Sequence, residues 1–317
     1  MRKETLKNMI KNPALISRAL FQKLVVKDKL RWMSDKTFLK IRYKHLVCKR
    51  LNLKNPVTFN EKLQWLKLYD RNPEYKKLVD KYEVREYIKS SIGEEYLIPF
   101  LGVWDKFEDI DFGALPDKFV LKCTHDSGSV VLCKDKSKFD IEHARRKLTA
   151  KMMTNLFWEG REWPYKDLKP RIIAEQYMEC ENGEELIDYK FFCFGGEPKF
   201  VYVSQGLADH STAHLSYMWM DWTQAPFYRE DFPQFDKLPD KPQTFDKMVE
   251  FSELFSKDYP FARIDFYEIN GKLYFGEITF YPGSGFTVYS PDGWDGKIGE
   301  WIELPQKNKK VSTNEQK

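Results

Sequence analysis

The stretch that most constrains this chain is residues 263–278, RIDFYEINGKLYFGEI. Two aromatic-rich alternating runs flank Asn270-Gly271, and Asn-Gly between such runs is a strong hairpin signal, because both residues accept the left-handed backbone of a tight turn. Each run carries an acid in its middle, Asp265 before the turn and Glu277 after it. A two-residue loop would pair Asp265 with Gly276 and send Glu277 to the opposite face. A three-residue loop over Ile269, Asn270 and Gly271, with Gly271 left-handed and forming a bulge, shifts the register by one. Arg263, Asp265, Glu277 and Thr279 then share one face, and Ile264, Phe266, Tyr274, Ile278 and Phe280 share the other. Register follows the buried face, so the three-residue loop is expected. Diagonal neighbours at this spacing lie ~7–8 Å apart, near enough for two carboxylates to share hard cations such as Mg²⁺, which take oxygen ligands. A cross-strand Arg–Glu pair beside a solvated Asp fits the same residues.

The rest of the chain is large enough to build on such a hairpin. Its 317 residues suit one large domain or two modest ones. A hydrophobic content of 42% with 32% charged residues describes a soluble globular protein. Uninterrupted apolar runs fall far short of the ~20 residues that span a bilayer, and the basic N-terminus lacks the apolar stretch of a secretory signal, so neither is expected. Five cysteines, Cys48, Cys123, Cys133, Cys180 and Cys193, show no C-x-x-C spacing, and reduced thiols in the cytoplasm are expected.

The net charge of +4 hides an asymmetry. Of 52 Lys and Arg and 48 acids, residues 1–54 hold 16 and 3, leaving 36 and 45 for the remainder. So cationic a front points to an anionic neighbour: nucleic acid, an acidic polymer or the inner membrane surface. A solvated helical extension, or docking on the acidic remainder of the chain, fits the same charges.

The first 70 residues look helical. Thr58 and Glu61 form a capping box that opens a helix. Pro73 suits the first turn of another, predicted to run unbroken to Gly93. From Tyr96 onward short strands alternate with two further helices, one capped by Asp140 and one starting at Thr244. The tail from Gln306 is polar and expected to be disordered. The class is α+β, with antiparallel sheets and one helical end.

Three cations stand on or beside strands. Lys122 lies in FVLKC, just before the loop Thr124-His125-Asp126-Ser127-Gly128-Ser129, whose backbone N–H groups suit a phosphate. With one glycine, that loop is not the G-x-x-x-x-G-K-[ST] pattern, and an edge-strand lysine fits as well. Lys190 lies in DYKFFCF, and Arg263 opens the hairpin. Three cations and two carboxylates on different strands suit a nucleoside triphosphate with Mg²⁺, since phosphoryl transfer is catalysed largely by positioning and charge neutralisation.

The ordered set VDKYEVREYI, KFVLKCTHDSGS, IIAEQYM, DYKFFCFGGEPKFV and ARIDFYEINGKLYFGEITFYPGSG resembles the ATP-grasp superfamily, and within it the TupA-like branch associated with teichuronopeptide and capsular polysaccharide biosynthesis. The resemblance covers roughly residues 57–301. It implies an α+β ATP-grasp fold in which two subdomains clamp ATP. Residues 1–72 would form a basic helical region and 73–304 the ATP-grasp domain, with a lid of about 96–175 and a metal-binding part of about 176–304, followed by a tail of 305–317. It implies Lys81 and Lys122 on phosphates, with Ser127, Gly128 and Ser129 folding over them. Glu175, Gln176 and Tyr177 would form the hinge facing adenine, with Glu184 or Glu185 on the ribose. Lys190 and Arg263 would meet the γ-phosphate and an acyl phosphate. Asp265 and Glu277 would hold Mg²⁺, with Thr279 where the superfamily has Asn. Gly283, Ser284 and Gly285 would receive the acid substrate.

The implied activity is an ATP- and Mg²⁺-dependent ligation of a carboxylate to an amine. The expected partners are ATP, a uronic acid or acidic glycan, and a small amine or amino acid, without nucleic acid. A cytoplasmic place is expected, with peripheral contact at the inner face of the membrane or with a lipid-linked glycan. A kinase of the same fold and a non-catalytic glycan-binding module are the alternatives. Assay of ADP release with and without amine separates them.

Overall fold

A computed structural model describes residues 13–306, apart from 182, 184 and 207–212. Glu184, the first twelve residues and most of the expected tail therefore lie outside the described residues. Two antiparallel sheets organise the chain. The first is built from β1 (Phe100–Trp104), β2 (Phe119–Cys123), β3 (Val131–Cys133) and β4 (Ile172–Gln176), in the order β1-β4-β2-β3. The second is built from β5 (Ile187–Phe194), β6 (Glu197–Gln205), β7 (His214–Trp219), β8 (Phe261–Ile269) and β9 (Lys272–Thr279), in the order β7-β6-β5-β8-β9.

Alternation along the strands separates an oily face from a polar one in each sheet. In the first sheet Phe119, Leu121, Cys123, Ile172 and Ala174 bury against the helix Ile141–Met152, through Ala144 and Leu148. Val120, Lys122, Ile173 and Glu175 take the opposite face, since Val120 pairs with Glu175 and Lys122 with Ile173. In the second sheet Phe191, Ile264, Phe266 and Ile278 join a larger core with Phe245, Met248 and Phe255 of the helix Phe245–Ser256. Asp140 caps its helix by accepting from the His143 N–H, as expected. Thr58 and Glu61 make the expected capping box on the helix Phe59–Tyr69. All five cysteines are free thiols. Among the described residues no helix is long and apolar enough to cross a membrane.

Two local expectations are overturned. The helix expected to run from Pro73 to Gly93 is two helices, Tyr75–Val79 and Val84–Ile92. Asp80 leaves the helical conformation and its buried carboxylate accepts the N–H groups of Tyr82 and Glu83, which restarts the helix. The break frees the Lys81 N–H to bond Thr124 O at 3.0 Å, tying this segment to the loop after β2.

The hairpin turn is also not the one expected. Ile269 pairs with Lys272, so the loop has two residues, with Asn270 and Gly271 both left-handed at φ 53° and 72°. Unbroken pairing from that turn would place Gly276 opposite Asp265. Instead the register shifts beyond Phe266↔Phe275, Gly276 bulges, and Asp265 pairs with Glu277. Arg263, Asp265, Glu277 and Thr279 do share a face, but through a bulge at Gly276, not at Gly271. Tyr274 changes faces as a result: it pairs with Tyr267 on the carboxylate side, and Phe275 takes the core position against Phe255 and Phe266.

Candidate active site

The polar faces of the two sheets meet across a cleft of about 210 Å³. From the first sheet and its loops come Lys122, Glu175, Ser127 and Gly128; from the second come Asp188, Lys190, Asp265, Tyr267 and Glu277. Lys81 and Arg85 enter from the broken helix pair. Within the second sheet strand pairing gathers the charged group, because Lys190 sits directly opposite Asp265, and Asp265 directly opposite Glu277.

Arg263 is the centre of the acidic end. Its Nε and Nη2 donate to both oxygens of Asp265 at 2.7 and 2.6 Å, and Nη2 also reaches Glu277 Oε1 at 2.5 Å and Thr279 Oγ1 at 3.1 Å. One nitrogen therefore touches both carboxylates. Lys190 Nζ adds contacts to Asp188 at 3.0 Å and Asp265 at 3.5 Å. The two acids feel different surroundings. The Asp265 side chain is 3% exposed, and burial pushes its carboxyl up to about 6 against the pull of Arg263 and Lys190. The Glu277 side chain is 43% exposed; burial pushes it up as well, but Arg263, Lys81 and Lys190 together outweigh that and hold it near 2. Both are ionised at neutral pH.

At the other end Glu175 accepts from Lys122 at 2.8 Å and from Arg85 at 3.0 Å, while the second Arg85 nitrogen donates to Ile98 O. The loop after β2 divides. Ser127 and Gly128 face the cleft, with Gly128 at φ 83°. Ser129 turns inward, where its hydroxyl takes the Cys123 N–H and donates to Asp126. Lys81 Nζ donates to Asp126 O, so the loop is braced from both sides.

Of the hinge residues, Glu175 has its side chain committed to two cations and the Gln176 N–H is taken by Pro99 O at 2.9 Å. Tyr177 lies under Lys134. Glu185 is exposed and offers only its carbonyl, to Gln205; Asp188 is the described acid of that segment that lines the cleft.

The segment expected to receive substrate has the most unusual backbone. Gly283, Ser284 and Gly285 are consecutive left-handed residues, at φ 56°, 53° and 62°. Ser284 pays no visible penalty in hydrogen bonding, because the helix Phe59–Tyr69 sends a polar stripe at i, i+4 and i+7 against this loop. Asn60 donates to Thr287 O at 2.7 Å, and Gln64 to Ser284 O and Gly285 O at 3.1 and 2.6 Å. The buried Lys67 donates to Gly160 O, Ser284 O and Ser284 Oγ at 2.7, 2.8 and 2.9 Å. Burial pulls Lys67 down to about 7 and raises Glu162, which hydrogen-bonds Ser284 and is opposed by the Lys67 charge. Burial raises the Tyr165 phenol well above its ordinary value, and the charges of Glu162 and Glu277 add to that.

Arg85, Asp188, Lys67, Glu162 and Tyr165 were not found by sequence reasoning. The spacing of Lys81 and Arg85 carried a signal for one of them; Lys67 and Glu162 reveal themselves only through contacts more than ninety residues apart in the chain.

A family model for TupA-like ATP-grasp proteins matches residues 61–303. The chain belongs to that family. The site just described therefore lies in an ATP-grasp fold, whose enzymes use ATP and typically Mg²⁺. Solved structures similar to the chain include D-alanine–D-alanine ligase from Bacillus anthracis complexed with ATP, at 16% identity and a TM-score of 0.37, covering 69% of this chain and 57% of that one. A D-cycloserine synthetase is similar at 15% identity and a TM-score of 0.39, covering 73% and 72%. A RiPP-associated ATP-grasp ligase from Chryseobacterium gregarium, in complex with ADP and a leader and core peptide, is similar at 13% identity and a TM-score of 0.36, covering 73% and 60%. The chain thus spans little more than half the length of the Bacillus anthracis ligase. A search of curated proteins finds no match.

Proposed function

We propose that this protein is an ATP- and Mg²⁺-dependent ligase that joins a carboxylic acid to an amine through an acyl phosphate, acting on a uronic acid of a bacterial capsular or cell-wall polysaccharide or its precursor. The observation that carries the proposal is the convergence of Lys81, Lys122 and Lys190 with Asp265 and Glu277 on one cleft between two sheets, with Arg263 bonded to both of those acids. The donor set fits Mg²⁺: two carboxylates within reach of a single Arg263 nitrogen, with the Thr279 hydroxyl beside them. Magnesium commonly takes one or two protein carboxylates and completes its shell with water and phosphate oxygens. Bound there, Mg²⁺ supplies charge neutralisation on the triphosphate.

The chain's own residues do the rest. A carboxylate does not react with an amine at neutral pH; transfer of a phosphoryl group to its oxygen creates a leaving group. Lys81 and Lys122 would hold the phosphates from the lid, with Ser127 and Gly128 covering them. Lys190 and Arg263 would stabilise charge on the transferring group and on the acyl phosphate, in a cleft where fixed cations need no reorganisation. Glu175, by pairing with Lys122 and Arg85, would orient both side chains at the cleft. The hinge at Gln176 and Tyr177 would face adenine, with Glu184, Glu185 or Asp188 toward the ribose. The loop at Gly283, Ser284 and Gly285 would receive the acid, its shape set by Lys67 and Gln64. The basic front would bring the enzyme to an anionic surface in the cytoplasm, either a lipid-linked acidic glycan or the inner leaflet.

The test is ADP release from ATP and Mg²⁺ with glucuronic or galacturonic acid, with and without amines, hydroxylamine included. Acid-dependent ADP release with hydroxamate formed from hydroxylamine is expected. ADP release that needs a neutral sugar hydroxyl and yields a stable sugar phosphate would assign a kinase instead.

A further inference from the structure

The helix Pro13–Val26 is apolar on two sides. Phe21, Leu24 and Val25 pack into the larger core. On the side turned away from the core, Leu15, Ile16, Leu20 and Val26 face solvent, Leu20 at 57% and Val26 at 72% exposure. Arg18, Gln22 and Lys23 share that outer surface, so the helix presents an apolar side beyond the one its own core uses, mixed with cations. Trp32 follows in the next turn and is 79% exposed, its indole N–H bonded only to Lys29 O. Exposed cations surround these side chains: Arg18, Lys23, Lys27, Lys29 and Arg31, against the single acid Asp28, which pairs with Arg31.

We propose that this helix face and Trp32 seat in the headgroup region of an anionic lipid bilayer, with Lys23, Lys27 and Lys29 reaching the lipid phosphates. The proposal deepens the anionic-surface part of the proposed function and does not depend on the ligase chemistry. It is selected by the two properties taken together. A soluble acidic polymer satisfies the lysines and leaves Leu20, Val26 and Trp32 in water. A second copy docked face to face covers the apolar side chains but sets like charges against each other, because a two-fold interface pairs a patch with itself. A bilayer interface meets both demands: amphipathic surface helices bury apolar side chains at the headgroup boundary, tryptophan favours that depth, and lysine stems extend to the charged layer. The patch is firmly mounted. Arg161 Nη2 donates to Leu30 O at 2.7 Å and Arg31 lies over the Trp158 ring at 5.1 Å, so the turn carrying Trp32 rests on the residues just before Glu162 and the Ser284 loop. A lipid-anchored acid or acceptor would thus meet the enzyme on the side where it is bound.

The experiment is co-sedimentation of the full chain with vesicles of phosphatidylcholine alone and with about one quarter phosphatidylglycerol, at low and high salt. Two variants accompany it: Leu20→Ser/Val26→Ser/Trp32→Ser, and Lys23→Glu/Lys27→Glu/Lys29→Glu. None of the six positions touches the cleft, so Mg²⁺–nucleotide affinity serves as the control for folding. Wild type is expected to bind the anionic vesicles and not the neutral ones. The serine variant should bind roughly tenfold more weakly. The glutamate variant should bind about a hundredfold more weakly at low salt, with little difference left at high salt. Wild-type binding by the serine variant would overturn the proposal, since charge alone would then account for recruitment. Binding to polygalacturonate but not to vesicles would overturn it in favour of an acidic polymer. A concentration-dependent dimer lost in the serine variant, without vesicle binding, would overturn it in favour of a second copy. Failure of ligase activity with intact vesicle binding would count against the ligase proposal alone.

Discussion

Replacing Gly276 by alanine tests the link between backbone and site. A Cβ built on Gly276 lies 2.9 Å from Asp265 O, 3.2 Å from Asp265 C and 3.2 Å from Tyr267 Cε2. Two of those three neighbours are backbone, so relief requires the two strands to separate by a few tenths of an ångström. Overpacking of this kind typically costs about 1–3 kcal/mol. The displaced residue is Asp265 itself or its partner Glu277, so the carboxylates move relative to each other as well. Misplacement by ~1 Å can cost about a hundredfold at an active site; the smaller shift here should weaken Mg²⁺-dependent binding of a non-hydrolysable ATP analogue by roughly tenfold. Gly271→Ala in the same hairpin is the control. Gly271 is left-handed at φ +72°, but a Cβ there meets only Gln243 Oε1 at 3.7 Å. That variant should lose about 1–2 kcal/mol from the left-handed backbone and keep wild-type nucleotide affinity. Urea unfolding and calorimetric titration report the two quantities separately. If Gly276→Ala binds the analogue as tightly as wild type, the bulge does not set the carboxylate geometry and the reasoning fails.

Three further outcomes are expected. Lys67→Met removes the donors of three hydrogen bonds and the partner of Glu162; it should destabilise the fold by about 3–5 kcal/mol in urea unfolding and weaken acid or amine binding while nucleotide affinity stays unchanged, and a neutral effect on stability would show that the loop at Ser284 holds its own shape. Asp265→Asn should unfold more readily than Glu277→Gln, because it leaves the buried Arg263 without its two-point partner, whereas Glu277 stands at the open mouth; equal losses in urea would refute that ordering. The pH dependence follows from Glu277, whose folded value near 2 lies below its ordinary 4.5. Between those limits the unfolded chain binds more protons than the folded one, so the contribution of Glu277 to stability is fully present above about 4.5 and is lost as pH falls through about 2. The melting-temperature gap between wild type and Glu277→Gln should therefore shrink across that window, and a constant gap would contradict it.

What could be read from the sequence was what local chemistry decides. The capping box at Thr58 and Glu61 and the cap at Asp140 each involve residues a few positions apart, and each forms as expected; Asn270-Gly271 likewise marks the hairpin, though with a two-residue loop. The hairpin register was half legible. Alternation required that one residue be skipped, and two glycines could provide the skip. An isolated glycine inside a strand is a bulge signal, and Gly276 carried it, but the turn at Gly271 offered a competing solution. The break at Asp80 was hidden because its cause is tertiary: the Lys81 N–H finds Thr124 O, in the loop after β2. Long-range burial hid the rest. Asn60, Gln64 and Lys67 form a polar stripe that alone looks like a solvated helix face, and only the folded chain shows all three buried against the loop at Ser284.

Asp265 and Glu277 are proposed to hold the metal of a nucleotide bound between the two sheets. Calorimetric titration of a non-hydrolysable ATP analogue into wild type and Glu277→Gln, each with Mg²⁺ and with chelator, tests this assignment most directly. The prediction is that Mg²⁺ tightens binding to wild type by at least about tenfold, in line with a site completed by carboxylates and phosphate oxygens, and that Glu277→Gln removes this gain while still unfolding cooperatively from a folded state at neutral pH. Equal affinity for the analogue with and without Mg²⁺ in wild type, or an undiminished Mg²⁺ effect in Glu277→Gln, would contradict the assignment.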